Sequence, residues 1–107
     1  MNMKAEQLAS EGYEHYQRAM AAFSARQAGE AKTQFIEAKS CYEQALGFAP
    51  DDPDINHLYA GICAHMGLAR LGEKHFKLAI EFATNPGDKQ RYQGGLHQLY
   101  ATFGRPS

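Results

Sequence analysis

The chain has 107 residues, of which 44% are hydrophobic and 21% charged, and its formal net charge is -1. This balance is typical of one globular domain, and it argues against disorder and against the basic surface that nucleic-acid binding requires. No apolar run approaches the roughly 18 residues of a membrane span, and the start of the chain lacks the apolar core of a secretory signal. We therefore expect a single domain over residues 1–107 that binds neither membrane nor nucleic acid.

The composition also predicts the fold class. The sequence contains 17 alanines and no valine, with only 4 isoleucines and 3 threonines. Sheets favour β-branched residues on their faces, whereas helices favour alanine, leucine, glutamine, glutamate and lysine. The sequence thus predicts an all-α fold.

Apolar residues recur at three- and four-residue steps, which predicts five helices in chain order. Gly29 is expected to end the first helix, Asp52 to cap the third with Pro53 in its first turn, and Gly67 to end the third. The predicted bounds are about 3–28, 30–48, 53–66, 68–83 and 88–103.

One stretch of the fourth helix alternates like a strand, at Phe76, Leu78, Ile80 and Phe82. Ala79 and Ala83 fill the gaps, and a lone strand would have no partner. We predict a helix here, with apolar residues spread over two of its faces.

Two of the predicted helices share a pattern at an offset of 34 residues. In the second helix, small, aromatic and small residues precede a proline at the positions Ala38, Tyr42, Ala45 and Pro50. The fourth helix repeats the pattern at Gly72, Phe76 and Ala79, although Thr84 stands where proline would be. At these positions the chain resembles the tetratricopeptide repeat family, whose unit has this length. We call Tyr42 and Phe76 the aromatic pins and expect both to be buried near a small residue of a neighbouring helix.

The resemblance extends over about residues 18–104, or about two and a half repeats. Leu96, Tyr100 and Gly104 of the fifth helix match the first half of a further repeat, with His97 where glycine is usual. The resemblance implies antiparallel helix pairs stacked in a short right-handed superhelix. It also implies a non-enzymatic scaffold, adaptor or chaperone-like module, in which a concave groove receives a helix or an extended peptide of another protein.

In that geometry the groove is lined by the first helix of each pair. The residues expected there are Tyr16, Phe23, Arg26, Asp54, His57, Gly61, Ala64, His65, Arg91 and Gln98. Gly61 and Ala64 remove side-chain bulk in mid-helix, where glycine costs about 1 kcal/mol relative to alanine. We expect His57, His65 and Arg91 to face one concavity. An ordinary solvated face with two histidines is the alternative, and Tyr16 and Phe23 are equally compatible with a core position.

Motifs for catalysis or for cofactor and metal binding are missing from the sequence. Gly94 and Gly95 lack the following lysine of a phosphate-binding loop, and His57 and His65 are about 12 Å apart along a helix, too far to share one metal ion. Asp51, Asp52 and Asp54 are explained by capping at a helix start. We therefore expect no enzyme activity, no cofactor and no metal. Two cysteines without a signal-like start predict a reducing cytoplasmic location.

The end of the fifth helix suggests a second class of function. If the second half of its repeat is missing, Leu99 and Phe103 should be left partly exposed, and Leu78 of the fourth helix would extend the same apolar patch. Such patches usually mark an interface. The alternative function is therefore a structural unit that forms homo-oligomers through its terminal helices.

Overall fold

A computed structural model of the chain describes residues 2–105. Five α-helices account for about 85% of it, and the described residues contain no strand. The helices are α1 (Met3–Ser24), α2 (Ala28–Phe48), α3 (Pro53–His65), α4 (Ala69–Phe82) and α5 (Pro86–Phe103). The all-α prediction is confirmed. No helix within the described residues is both long and apolar enough to cross a membrane.

The residues group into two compact units, the first ending at Pro50 and the second beginning at Asp51. In the first unit, α1 and α2 form a hairpin whose interface consists mainly of alanines, with Leu8, Phe35 and Tyr42 as its large members. In the second unit, α3 and α4 form a hairpin and α5 packs mainly on α4. Its buried large side chains are Ile55, Tyr59, Ile62, Phe76, Tyr92 and Leu99.

The end of α1 differs from the prediction. Gly29 lies inside α2, and the chain turns instead at Ala25–Gln27, where Arg26 adopts a left-handed φ of 60°. The Gln27 N–H donates to the Ala22 carbonyl at 2.8 Å, and the Arg26 N–H donates to the Phe23 carbonyl at 3.0 Å. These bonds close the helix end in the way that a glycine normally does. The prediction was wrong because a non-glycine residue occupies the left-handed position.

Gly67 ends α3 as predicted, with the same geometry. Its φ is 78°, and the Leu68 N–H donates to the Cys63 carbonyl at 2.8 Å. At the start of α3 the Asp52 carboxylate accepts the Ile55 N–H at 3.0 Å, as predicted for a cap followed by proline. The α5 helix begins two residues earlier than predicted, because Asn85 caps it and Pro86 occupies its first turn.

The alternating stretch of α4 is helical. Phe76 and Ala79 are buried, and Leu78, Ile80 and Phe82 are half-buried, so the apolar residues occupy more than one face of the helix. The aromatic pins are also confirmed. Tyr42 is 0% exposed and Phe76 is 3% exposed.

Each aromatic pin packs against a glycine of a neighbouring helix. A Cβ atom built on Gly12 of α1 would lie 2.9 Å from Cε1 of Tyr42, and one built on Gly95 of α5 would clash with the Phe76 ring. Both glycines are therefore required for the approach of the ring, since real Cβ atoms do not come so close. The glycine lies on the preceding helix in the first unit and on the following helix in the second.

Candidate functional site

A groove of about 300 Å³ in the second unit runs between α3 and α5, and we call it the α3–α5 groove. It contains four of the residues predicted for a partner groove, which are Gly61, Ala64, His65 and Gln98. The rest of its lining consists of Phe76, Gly95, Leu99, Thr102 and Phe103.

The groove exists because small residues line α3 while α5 is drawn towards α4. Gly61 has open space where a Cβ would be, and Ala64 adds only a methyl group. On the other side, Gly95 lets α5 approach the Phe76 ring closely. Gly72 of α4 is also closely packed, although less tightly than Gly95, because a Cβ there would lie 3.3 Å from the Ala60 carbonyl oxygen of α3. The second unit is thus close-packed along α4 and open between α3 and α5.

Polar residues near the starts of α3 and α5 link these two helices. The buried Tyr92 donates its hydroxyl hydrogen to Oδ1 of Asp54 at 2.5 Å, and Nη2 of Arg91 lies 3.1 Å from the same oxygen. Arg91 also donates to Asp88 at 3.2 Å. Burial and the Asp54 hydrogen bond raise the pKa of Tyr92, and the bond to Asp88 raises the pKa of Arg91. Asp54 and Arg91 were predicted for the groove, and here they are paired with each other.

His57 is packed between two aromatic rings instead of lining the α3–α5 groove. Its ring centroid lies 4.9 Å from that of Tyr92 and 5.6 Å from that of Phe76. Its buried Nδ1 atom has no hydrogen-bond partner among residues 2–105. Burial and the nearby Arg91 lower the pKa of His57, against an opposing effect of Asp54. Of the three residues expected to share one concavity, only His65 lines this groove, and burial lowers its pKa too.

The predicted groove residues of the first unit have different environments. Tyr16 is half-buried, with its ring centroid 6.0 Å from that of Tyr13 and 6.5 Å from that of Phe35. Phe23 is 67% exposed, and it lines a shallow cavity with Arg26 at the turn between α1 and α2. Arg26 is exposed and acts in the backbone turn described above.

The predicted exposure of the oligomer patch is wrong for Leu99. This residue is only 3% exposed, because Ala60 of α3 and Phe76 of α4 cover it within one chain. Its Cδ1 atom lies 3.5 Å from the Cβ position of Gly72, so the missing side chain there gives it room. Phe103 is 43% exposed, as predicted, and Leu78 is half-buried.

The sequence analysis missed a further cavity, of about 180 Å³, at the C-terminal end of α5. We call it the Arg70–Arg105 pocket, and its other lining residues are Ala69, Glu73, Leu99, Tyr100, Phe103 and Gly104. Tyr100 donates its hydroxyl hydrogen to Oε2 of Glu73 at 2.6 Å. The sequence analysis identified Tyr100 as a match to the repeat pattern and predicted no polar partner for it. The spacing of Arg70 and Glu73, one turn apart on α4, was the available signal for a polar cluster.

A buried asparagine is a second polar feature that the sequence did not reveal. Asn56 is 0% exposed, and its Nδ2 donates to the Asp52 carbonyl at 2.9 Å. Its Oδ1 must therefore accept the hydrogen bond of 2.7 Å from Nδ1 of His75. The ring of His75 also lies against Tyr59, so His75 links α4 to two residues of α3. We assign it a structural role.

Within residues 2–105 no group of three or more histidine, cysteine, aspartate or glutamate side chains is arranged to hold a metal ion. Cys63 is buried, and burial raises the pKa of the half-buried Cys41 thiol, with Glu11 and Glu37 contributing. An unreactive thiol is expected there, since the thiolate is the nucleophile. Comparison with known proteins gives no significant similarity to a family model, to a curated protein or to a solved structure.

Proposed function

We propose that this chain is a non-enzymatic protein–protein interaction module, a scaffold, adaptor or chaperone-like protein. Its second unit binds a helix or an extended peptide of another protein in the α3–α5 groove. The observation that carries the proposal is the open space beside Gly61 in the wall of the α3–α5 groove. A mid-helix glycine with no packing role costs stability, and a requirement for close approach of a partner explains its presence.

The chemistry of the lining supports a peptide rather than a small polar metabolite. Phe103, which is 43% exposed, provides apolar surface beside the nearly buried Phe76 and Leu99, and His65, Gln98 and Thr102 add polar groups. An apolar centre with a polar rim is the usual arrangement of protein interfaces. A helix that presents one apolar side chain per turn would fit such a groove.

The proposal includes a tetratricopeptide-like stacking of the helix pairs, with right-handed superhelical geometry, and a cytoplasmic location. The two aromatic pins support the repeat, because they are 34 residues apart and both are buried on the second helix of a pair. The two glycine-type helix ends at Arg26 and Gly67 are further common features of the two pairs.

A substitution at Gly61 tests the groove. A Cβ at position 61 would meet no heavy atom within 4 Å, so Gly61→Leu should place its side chain in the groove and retain the fold, as circular dichroism would verify. Gly47→Leu on α2 is the matched control, because its Cβ also meets nothing within 4 Å. Proteins captured by the intact chain from its source organism and identified by mass spectrometry should be lost with Gly61→Leu and retained with Gly47→Leu. Retention of the same proteins by Gly61→Leu would contradict the proposal.

Self-assembly is the second candidate function, and the exposed Phe103 at the end of α5 favours it. In that case light scattering should give a mass above 11.9 kDa for the chain and a monomer for Phe103→Lys. A monomeric chain in both measurements would exclude this alternative.

A further inference from the structure

The Arg70–Arg105 pocket is continuous in its lining with the α3–α5 groove. Leu99 and Phe103 line both cavities, whereas Arg70, Glu73 and Arg105 line only the pocket. A segment bound in the groove would therefore reach the pocket by passing Phe103. The apolar surface of that side chain is 43% exposed and available to both sites.

The charges of the pocket are not balanced. The pocket contains two guanidinium groups and the single carboxylate of Glu73. That carboxylate already accepts the Tyr100 hydroxyl, and Nζ of Lys77 lies 3.8 Å from the same oxygen. Arg105 lies over the Tyr100 ring at 5.1 Å from its centroid.

Of the two guanidinium groups, Arg70 has fewer nearby groups that offset its positive charge. It lies in the first turn of α4, which contains no acidic residue. Neither arginine forms an ion pair with any residue in the range 2–105. The lining of the pocket thus combines two exposed guanidinium groups and one carboxylate with apolar side chains at Leu99 and Phe103.

From this arrangement we infer that the partner segment carries a carboxylate next to an apolar side chain. The carboxylate binds between Arg70 and Arg105, and the apolar side chain packs on Phe103. Arginine suits this task because its planar group donates paired hydrogen bonds that match the geometry of a carboxylate. The inference rests on the proposed function and specifies the chemistry of the partner, which is an acidic-apolar peptide segment.

The test compares two probes that differ only in charge. The intact chain, labelled with ¹⁵N, is titrated with N-acetyl-L-leucine and with N-acetyl-L-leucinamide, and binding is followed at the backbone amides of Arg70, Tyr100, Phe103 and Arg105. We expect the acid to bind about fivefold more tightly than the amide, as is typical of partly exposed ion pairs. The preference should weaken at high ionic strength, because salt screens such pairs.

Arginine variants identify the groups responsible. Arg70→Gln and Arg105→Gln should each reduce the affinity for the acid to that for the amide, whereas Arg18→Gln on the exposed surface of α1 should leave the preference unchanged. Equal binding of acid and amide, a preference that survives Arg70→Gln, or no response at these four amides would each overturn the inference. The Gly61→Leu experiment remains independent of this outcome, so a failure here would be distinguishable from failure of the proposed function.

Discussion

In both units a buried aromatic ring packs on a glycine of a neighbouring helix, but the two units differ in whether that helix precedes or follows the ring in the sequence. In the first unit the Tyr42 ring packs on Gly12 of the preceding helix, and in the second the Phe76 ring packs on Gly95 of the following helix. The first unit consists of a hairpin of two helices, whereas the second contains three helices. The position of the glycine therefore determines which neighbouring helix packs closely on the aromatic ring.

This difference explains where apolar surface remains. Among the described residues the exposed large hydrophobic side chains are mostly in the first unit, namely Met3, Tyr13, Phe23, Ile36 and Phe48, with Leu68 and Phe103 in the second. A hairpin has no third layer to cover its outer faces, and α5 provides that layer in the second unit. The same α5 lies close to α4, which leaves the α3–α5 groove open. The open groove is thus a consequence of the pin at Gly95.

The largest expected effect comes from removing the pins. Tyr42→Ala and Phe76→Ala should each reduce the free energy of unfolding by about 3–5 kcal/mol, because each deletes a fully buried aromatic ring. Denaturant unfolding measures the loss, and hydrogen exchange should place the increased opening in the unit that carries the substitution. A loss below about 1 kcal/mol for either variant would contradict the role of that residue as a buried aromatic pin.

One added methyl group should change the stability of the chain in opposite directions at Gly95 and at Gly61. Gly95→Ala should destabilise the chain by about 1–3 kcal/mol, since the new Cβ would overlap the Phe76 ring. Gly61→Ala should stabilise it by up to about 1 kcal/mol, because the site is open and alanine favours the helix. Thermal unfolding of the two variants measures both signs. A gain in stability for Gly95→Ala would show that the Phe76 ring shifts easily to make room for the new methyl group.

The hydroxyl groups of two buried tyrosines provide a third contrast. Tyr92→Phe loses a hydrogen bond to the Asp54 carboxylate and should cost about 1–2 kcal/mol. The Tyr42 hydroxyl is buried without a partner among the described residues, so Tyr42→Phe should cost nothing or stabilise by up to about 1 kcal/mol. Equilibrium unfolding compares the two. A clear loss for Tyr42→Phe would reveal a partner for that hydroxyl.

The smallest effect concerns the two left-handed turns. Arg26→Gly should stabilise the first unit by about 0.5–1 kcal/mol, because a left-handed arginine is strained and glycine is not. Gly67→Ala should destabilise the second unit by about 1 kcal/mol for the same reason. Unfolding midpoints of both variants give the comparison. Equal and negligible changes would show that neither turn is strained.

Much of the fold was predictable because the signals are local. The five helices follow from apolar spacing, and the start of α3 follows from Asp52 and Pro53. The end of α1 could not be predicted, because a left-handed arginine leaves no trace in the sequence. The predicted groove was brought together only in part. Its residues Gly61, Ala64, His65 and Gln98 line one groove. Asp54 and Arg91 instead form an ion pair with each other, and this pairing depends on how α5 approaches α3.

By itself the sequence determined the helices and the two ends of α3, since these depend on residues within a few turns of one another, and the pattern repeated at an offset of 34 residues predicted the burial of both aromatic pins. Only the tertiary structure decided the roles of residues that look alike in sequence. Gly61 and Gly95 are both mid-helix glycines, yet one faces open space and the other a ring. Leu99 and Phe103 are one turn apart on α5, yet the first is buried and the second exposed. The reason is physical: whether space beside a residue is filled depends on the neighbouring helix, and local sequence spacing does not specify that neighbour's position.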